Sequence, residues 1–437
     1  MSGTLQAVFQ NLRSFMTPSW LTTIGDPDTV TPQPNIGDNT PHGSFLDSAG
    51  NLYVAGSSRG SSNSNTVPYV VKYDPSGVIL WQYTYGSATL DGAGYSITGN
   101  SAGNIYLVSY SGGQGNLYTL NTSGDIVSQI GLSQNDPRGV LLDSNGEIIV
   151  LFESRFSFTA IARLNSAATS LIWNRSRNTN QNISFSTNAI AIANSGNIYV
   201  VGRYNFGGAG DQGFVAKYDS TGTIVWSRRG MGTYNAGIAI DSSENLYVCG
   251  QYLSTPTAKL NKIDSSGNFI WGKTIGVGCQ AGTVAVDPTG SFIYVSGTRT
   301  SAYKGQYICK FDNSGTIQYQ RTLQYNFPPE GNVQMAGPNM PIRLDSNFMY
   351  IAARADIGQY GSGEFVVEKL PLDGSKTSTY TLGGFTVTYA ASSLTIGDTA
   401  SSDLINTDYS GAAGSLTLPS SSNSRANVSL TASTTTL

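Results

Sequence analysis

A ten-residue phrase recurs along the chain, and this recurrence constrains the fold more than any other feature. Residues 72–81 read Lys-Tyr-Asp-Pro-Ser-Gly-Val-Ile-Leu-Trp, which predicts a strand, a tight turn and a second strand ending on an aromatic residue. Similar phrases occupy residues 217–226, 262–271 and 310–319, each with Gly three residues after Asp and an aromatic residue four residues after Gly. Recurrence at a fixed spacing indicates a repeat architecture.

Each repeat also has a first half, a turn followed by a strand, as in residues 47–54. Seven copies can be aligned on one strand position, and successive copies are 43 to 56 residues apart: Tyr53, Tyr106, Ile149, Tyr199, Tyr247, Tyr294 and Tyr350. Four strands in about 45–55 residues is the size of one propeller blade, whereas the coils of a β-helix are much shorter. The sequence therefore predicts an all-β protein whose residues 42–382 form a seven-bladed β-propeller with four-stranded blades.

The repeated residues have structural roles in this prediction. Asp, Asn and Gly build the turns, and the aromatic residue at the end of the phrase is expected to pack between adjacent blades. The predicted blade-packing residues are Trp81, Trp173, Trp226, Trp271 and Tyr319. The second and seventh repeats have Ser128 and Ser378 at this position, so their blades are predicted to lack the aromatic residue.

Residues 1–41 differ from the repeats and are predicted to form an anchor helix and a linker. Apolar residues within residues 4–16 fall on one face of a helix: Leu5, Val8, Phe9, Leu12, Phe15 and Met16. Together with Trp20 they are the candidate partner-docking residues. Two interpretations stay open, a helix that docks on a partner protein and a helix folded back onto the propeller. A membrane-surface helix is disfavoured because Arg13 is its only basic residue.

Residues 383–437 form a third segment that is rich in Ser and Thr. Three interpretations stay open for it: a small β-module, alone or completed by another chain, a tail whose first strand seals the ring, and plain disorder. With residues 1–41 and 42–382 it completes a predicted division into three parts.

Composition excludes several functional classes. The formal net charge is −3, with no run of Lys or Arg, so nucleic-acid binding is not expected. The single histidine, His42, excludes most zinc sites and most nucleophile–base pairs. Cys249, Cys279 and Cys309 are predicted to be small buried residues. We predict no signal peptide, no membrane span, no metal and no cofactor.

The phrase Tyr-Asp-x-x-Gly-x-x-x-Trp resembles two families of propeller repeats. One is the pyrroloquinoline-quinone-type repeat; the other is the SBBP-type repeat, with its Asn-Leu-Tyr-Val-x-Gly and Lys-x-Asp-x-x-Gly segments, as at residues 51–56 and 72–77. The resemblance implies a propeller, and it implies no cofactor residue, because a quinone-dependent dehydrogenase is expected to have eight blades and an export signal. SBBP-like propellers without a signal peptide look similar to virion proteins of tailed phages that infect marine bacteria.

This resemblance favours a structural and interaction protein of a phage particle, a tail fibre, tail accessory or capsid decoration in an oligomeric assembly. Residues 1–41 are expected to bind other virion proteins, while the propeller contacts a host-surface glycan or protein, or a neighbouring subunit. Four loops rich in Gly, Ser, Asn and Tyr are candidates for this contact: residues 57–67, 205–212, 298–305 and 355–363.

Two other functions stay open. One is a cellular propeller scaffold or binding module. The other is a carbohydrate-active enzyme, which requires two convergent carboxylates. The acids that the turn pattern leaves unexplained are Glu153, Asp211, Glu330, Asp356 and Glu364. Because nothing in the sequence ties any two of them together, the chain is predicted not to be an enzyme.

Overall fold

The fold was analysed in a computed structural model of the chain. It describes residues 19–25, 40–59, 65–86, 91–132, 136–153, 158–178, 183–206, 211–230, 232, 234–252, 256–299, 305–326, 342–357, 362–382, 385–399, 404–406, 412–413, 425–427 and 431–436. Seven antiparallel sheets, each built on a four-stranded blade, close into a ring, so the predicted fold class is confirmed. The predicted helix at residues 4–16 and its apolar stripe lie outside the described residues.

Each blade runs from an innermost first strand to an outer fourth strand. The blades, in order, are as follows: blade 1, Thr40–Leu46, Leu52–Arg59, Thr66–Tyr73 and Ile79–Tyr85; blade 2, Gly92–Gly99, Ile105–Ser111, Gln114–Leu120 and Ile126–Gly131; blade 3, Asp136–Leu142, Ile148–Glu153, Phe158–Leu164 and Leu171–Asn178; blade 4, Ile183–Ile192, Ile198–Phe206, Asp211–Tyr218 and Ile224–Gly230. Blade 5 has Tyr234–Ile240, Leu246–Tyr252, Thr257–Ile263 and Phe269–Val277; blade 6 has Cys279–Val286, Phe292–Arg299, Gly305–Asp312 and Ile317–Asn326; blade 7 has Arg343–Leu344, Phe348–Ile357, Ser362–Pro371 and Trp20–Gly25.

The fourth strand of blade 7 comes from the N-terminal part of the chain. Trp20–Gly25 pairs antiparallel with Ser362–Pro371, with Trp20 opposite Lys369 and Ile24 opposite Phe365. The prediction that Trp20 belongs to a docking segment is therefore wrong, because its side chain is fully buried in the ring. The predicted boundary at residue 41 is wrong for the same reason, and Ser378–Leu382 is not the fourth strand of blade 7.

Aromatic residues at the ends of the blades pack on the turn of the next blade. The Trp20 ring contacts Gly77, at 2.6 Å from where a Cβ would stand, and its Nε1 donates to the Pro75 carbonyl at 3.0 Å. The same indole-to-carbonyl hydrogen bond is made by the four predicted tryptophans, at 3.0–3.1 Å: Trp81 to Thr122, Trp173 to Ser220, Trp226 to Ser265 and Trp271 to Asn313. Tyr319 donates its hydroxyl to the Leu372 carbonyl at 3.2 Å.

The turn glycines are required for two reasons at these junctions. Gly77 has a φ of +87°, which favours glycine, and the indole ring leaves no room for a Cβ. Blade 3 has Ala168 at the equivalent position, with a φ of 56°, and the preceding blade has Ser128 where the others have an aromatic residue. A Cβ is tolerated at this junction because no ring packs against it.

The C-terminal segment runs around the outside of the ring in the reverse order of the blades. Its strands add to the outer edges of blades 6, 5, 4, 3, 1 and 7 in turn: Phe385–Ala391, Ile396–Asp398, Leu404–Asn406, Ala412–Ala413, Arg425–Asn427 and Thr431–Thr436. We call these six strands the girdle. Ser378–Leu382 pairs with the first of them and so extends blade 6.

The girdle differs from all three interpretations that the sequence left open. A separate module and plain disorder do not fit strands that pair with six different blades. The first girdle strand does not seal the ring, since it pairs with Ile317–Asn326 in blade 6. The last strand, Thr431–Thr436, pairs with Trp20–Gly25, so the strand that closes the ring is held on both sides.

Removing residues 400–437 is expected to lower the melting temperature and to increase self-association relative to the full-length protein. The deletion uncovers the outer strands of blades 1, 3, 4 and 7, whose unpaired backbone groups can pair with another copy. Each lost backbone hydrogen bond contributes about 0.5–1.5 kcal/mol. Size-exclusion chromatography with light scattering and thermal melting check this result. A monomer that melts at the temperature of the full-length protein would contradict it.

The two faces of the propeller are unlike. Because the strands alternate in direction, the turns after the first and third strands of every blade lie on one face, which we call the turn face. An example is the turn at Asp74, whose Oδ1 accepts from the backbone N–H groups of Ser76 and Val78 at 2.8 and 2.9 Å. The connections between second and third strands and between blades lie on the opposite loop face. The four loops predicted for partner contact are on this loop face and fall partly outside the described residues.

Candidate functional site

The first strands surround a central channel, and six of them carry a β-bulge near the loop face. The bulged residues lie at equivalent positions and are His42, Tyr95, Arg138, Asn188, Ala236 and Gly282. A bulge puts one extra residue into a strand and turns its side chain out of the regular alternation. Polar or aromatic residues are therefore presented at one level of the channel by blades 1 to 3.

Three of these side chains form a cluster at the loop-face end of the channel. The rings of His42 and Tyr95 are 5.3 Å apart, and the guanidinium carbon of Arg138 lies 4.0 Å from the centre of the Tyr95 ring. Arg138 also forms ion pairs, at 2.8 Å each, with Asp136 on its own strand and with Glu153 on the next strand. We call these five residues the channel mouth.

The electrostatics of the mouth keep His42 neutral. Burial, together with the nearby charges of Arg138 and Arg354, lowers the pKa of His42 to about 4. At neutral pH the imidazole can thus both donate and accept a hydrogen bond. The mouth combines an aromatic ring, a neutral imidazole and a fixed guanidinium. This set of side chains suits a polar ligand that has a ring face for stacking and hydroxyl groups for hydrogen bonding.

Below the mouth the channel is lined mainly by small and aliphatic side chains. The cavity has a volume of about 710 Å³, and its walls include Val140, Ala191, Ala239, Ala285, Ile342 and Leu344. This volume lies within the range of small-molecule sites. The channel can therefore hold a ligand that enters past the mouth.

Charged groups at the turn-face end of the channel are engaged within the protein. Glu244 has a φ of 60°, in the left-handed region, and its carboxylate accepts hydrogen bonds from Tyr199 at 2.7 Å and Asn197 at 3.1 Å in the neighbouring blade. Asp241 accepts from Tyr247 at 3.1 Å. These contacts hold blades and turns in place, so the mouth is the better candidate for a binding site.

The acids considered for a hydrolase do not form a catalytic pair in the described residues. Glu153 pairs with Arg138 in blade 3, while Asp211 pairs with Arg203 at 3.2 Å in blade 4. Glu330 lies outside the described residues, and the side chains of Asp356 and Glu364 do as well. The sequence did not single out Tyr95 or Arg138, since a bulge does not change the composition of a strand.

The three cysteines are buried and free, as the sequence predicts. They belong to one apolar cluster between blades 5 and 6, in which burial raises the pKa of the Cys249 thiol to about 12. Across the described residues, no group of three or more His, Cys, Asp or Glu side chains is arranged to hold a metal ion. The described part of the chain also has no helix of the length and hydropathy that a membrane span requires.

The chain is similar to known proteins at the level of solved structures. No protein-family model matches the chain, and no curated protein matches its sequence. Solved structures similar to the chain include the Dos1 propeller, with 10% identity over 82% of this chain and 93% of that one and a TM-score of 0.43. They also include the polysaccharide lyase Uly1, with 10% identity over 78% of this chain and 91% of that one and a TM-score of 0.48. A luciferin-regenerating enzyme is 12% identical over 80% of this chain and 96% of that one, with a TM-score of 0.39.

These comparisons correct one prediction. Proteins named as enzymes are among the propellers similar to this chain, so the expectation that the chain is not an enzyme, which rested on its repeat pattern, does not stand. A repeat pattern that is purely structural, with aromatic residues and turns, does not exclude chemistry in the channel. At 10–12% identity the similarity concerns the fold alone, and it assigns no reaction.

Proposed function

We propose that this protein is a display and recognition component of a larger assembly, most simply a phage particle. Its N-terminal segment attaches to other proteins of that assembly at the turn face. Its loop face, with the channel mouth at the centre, binds a glycan or protein on a host surface or a neighbouring subunit. The protein acts on the outside of the particle as one of several copies.

The observation that carries this proposal is the opposite placement of the chain entry and the mouth. Trp20 pairs with Lys369, two residues before the turn that begins at Pro371, so the first strand that the structure describes begins at the turn face. The bulges with His42, Tyr95 and Arg138 lie near the other face. An attachment at the turn face leaves the mouth and loops directed away from the assembly.

The chemistry of the mouth supports recognition of a polar surface ligand. Aromatic and arginine side chains are the residues that most often contribute binding energy at interfaces. Arg138 is fixed by two ion pairs before any ligand arrives, and its position over the Tyr95 ring holds that ring in turn. A preorganised group of this kind loses little conformational entropy on binding.

The test is the binding of the full-length protein to an immobilised panel of neutral and acidic bacterial surface glycans. We expect at least one glycan to bind, and Tyr95→Leu to raise its Kd about tenfold or more, since loss of an interface aromatic often costs 1.4 kcal/mol or more. The matched control is Ser101→Ala, an exposed residue of the same blade on the turn face, which should change Kd less than about twofold.

Two results would count against the proposal. If Tyr95→Leu and Ser101→Ala bind a glycan equally well, with both variants folded by circular dichroism, the mouth is not the recognition site. If no glycan binds, and if purified variants of the loop face associate with neighbouring subunits as the wild type does, the proposal that the loop face is the recognition surface is wrong.

A further inference from the structure

Arg343 lies inside the channel, on the first strand of blade 7. Its Nε donates a hydrogen bond to the Ser44 carbonyl of blade 1 at 2.8 Å, and the side chain lines the cavity. Burial lowers the pKa of its guanidinium to about 10, so the group still carries its charge at neutral pH. The channel therefore contains a fixed positive charge below the mouth.

This charge has no counter-ion among the residues that the structure describes. Arg138 and Arg163, by contrast, each pair with two acids: Arg138 with Asp136 and Glu153, and Arg163 with Asp143 and Glu147. In the described part of the chain, the Arg343 side chain makes one hydrogen bond, to the Ser44 carbonyl, and no ion pair. A partly buried guanidinium that lines a cavity, without a counter-ion among the described residues, is well placed to bind an anionic ligand.

Small side chains line part of the same cavity. The strand register places Arg343 opposite Tyr350 of the second strand, and the equivalent positions are alanine in blades 4, 5 and 6, whereas blades 1 to 3 have Phe45, Thr98 and Leu141. The three alanines, Ala191, Ala239 and Ala285, line the cavity. The alanine side of the channel leaves room for a ligand. Guanidinium binds planar or tetrahedral oxyanions through two parallel N–H donors.

We propose that the channel binds the oxyanion group of a small ligand, a carboxylate, phosphate or sulfate, with Arg343 as its counter-ion. The remaining cavity, of about 710 Å³ in total, accommodates a ligand of the size of one or two sugar rings. The ligand enters through the mouth. The inference extends the proposed function to this channel, but it does not depend on attachment to an assembly.

The experiment measures thermal melting and isothermal titration calorimetry of the full-length protein with four probes. They are sodium phosphate, sodium sulfate, sodium glucuronate and neutral glucose, at ionic strength matched with sodium chloride. We expect one or more oxyanions to raise the melting temperature by at least about 2 °C in a saturable way, with one site per chain. Glucose should give no shift. The probe that binds most tightly distinguishes a carboxylate ligand from a phosphate or sulfate ligand.

Arg343→Met is the decisive variant because it keeps the length of the side chain and removes the charge. It should abolish the saturable shift and, in anion-free buffer, should melt at a higher temperature than the wild type, since the uncompensated charge is gone. Arg343→Lys keeps the charge without the paired donors and should weaken binding about tenfold. Lys376→Met removes an exposed positive charge near the turn face and should bind like the wild type.

The proposal is wrong if the wild type shows no saturable shift with any oxyanion, or if Arg343→Met shows the same shift as the wild type. An increase that grows with salt without saturating, and equally in Lys376→Met, is a general salt effect and also contradicts it. If Arg343→Met does not fold, Arg343→Gln replaces it, and unchanged affinity in that variant rejects the proposal. Loss of glycan binding in Tyr95→Leu with intact oxyanion binding would separate this site from the mouth.

Discussion

Replacing Trp20 with alanine is expected to lower the free energy of unfolding by about 3–5 kcal/mol, the usual cost of truncating a fully buried tryptophan. The indole ring fills the junction between blades 7 and 1, where it stacks on Tyr73 with ring centres 5.7 Å apart and contacts Gly77. The Pro75 carbonyl loses the indole N–H as a donor. Among the described residues, Lys369 Nζ, at 2.8 Å, is then the remaining side-chain donor to this carbonyl. Denaturant unfolding followed by tryptophan and tyrosine fluorescence measures the change.

Two truncations separate this role from that of the preceding segment. Removing residues 1–25 deletes the fourth strand of blade 7 and should leave a ring that does not close, seen as aggregation or a much lower melting temperature. Removing residues 1–18 leaves that strand in place and should change the melting temperature little. Equal stability of the two truncated proteins would show that Trp20–Gly25 does not close the ring.

Glu368→Gln is expected to raise stability by several kcal/mol at alkaline pH. Glu368 is fully buried on the third strand of blade 7; one carboxyl oxygen contacts the Tyr325 hydroxyl, and Oε2 has no hydrogen-bond partner within the described residues. Burial raises the pKa of this carboxyl from 4.5 to about 8. The folded protein therefore holds a proton that the unfolded chain releases.

The sign of the pH dependence follows from this difference. Between the ordinary pKa of 4.5 and the folded pKa of about 8, the folded state binds more protons than the unfolded state, so stability falls as pH rises. A difference of this size corresponds to at most about 5 kcal/mol, reached above the folded pKa of Glu368. Below the ordinary pKa of a glutamate both states are protonated and the cost disappears.

Urea unfolding of the wild type and Glu368→Gln between pH 5 and pH 9 measures this difference. The difference in free energy of unfolding between the two proteins should widen by about 2–4 kcal/mol across this pH range. Tyr325→Phe is the matched second variant: it removes the hydrogen bond that partly lowers the pKa of Glu368, so its stability should fall more steeply with pH. A gap that stays constant with pH would show that Glu368 does not titrate in the folded protein.

The repeat was sufficient to predict the fold class, and the tryptophans that it singles out share one contact. Asp-to-Gly and Gly-to-aromatic spacings define the turns and the outer strands, and Trp81, Trp173, Trp226 and Trp271 all make the same contact with the next blade. Ala168 shows how closely sequence and packing correspond, because glycine is replaced only where the previous blade has Ser128 instead of an aromatic ring.

Ring closure and the girdle could not be predicted in the same way. Trp20–Gly25 pairs with residues about 345 positions away, and one short strand outside a repeat gives no periodic signal. The girdle strands are two to seven residues long and rich in Ser, Thr and Ala, a composition that disordered tails share. Their stability comes from backbone pairing with existing blades, which the sequence of the segment does not encode.

The channel mouth depends on bulges, which alter the direction of a side chain without altering composition. A strict two-residue alternation does not reveal that His42, Tyr95 and Arg138 share one level of the channel. Arg343 was missed for a related reason. The first strand of blade 7 is only two residues long and lies in the loosest copy of the repeat.

The most direct test of the account is the assembly state of the full-length protein and of residues 19–437, measured by light scattering on equally concentrated samples. We expect the full-length protein to self-associate or bind partner proteins, while residues 19–437 form a folded monomer with the same melting temperature and the same affinity for the loop-face ligand. Two equally monomeric proteins, neither of which binds an assembly partner, would contradict attachment through the N-terminal segment. A lower melting temperature for residues 19–437 would show that the segment belongs to the propeller itself.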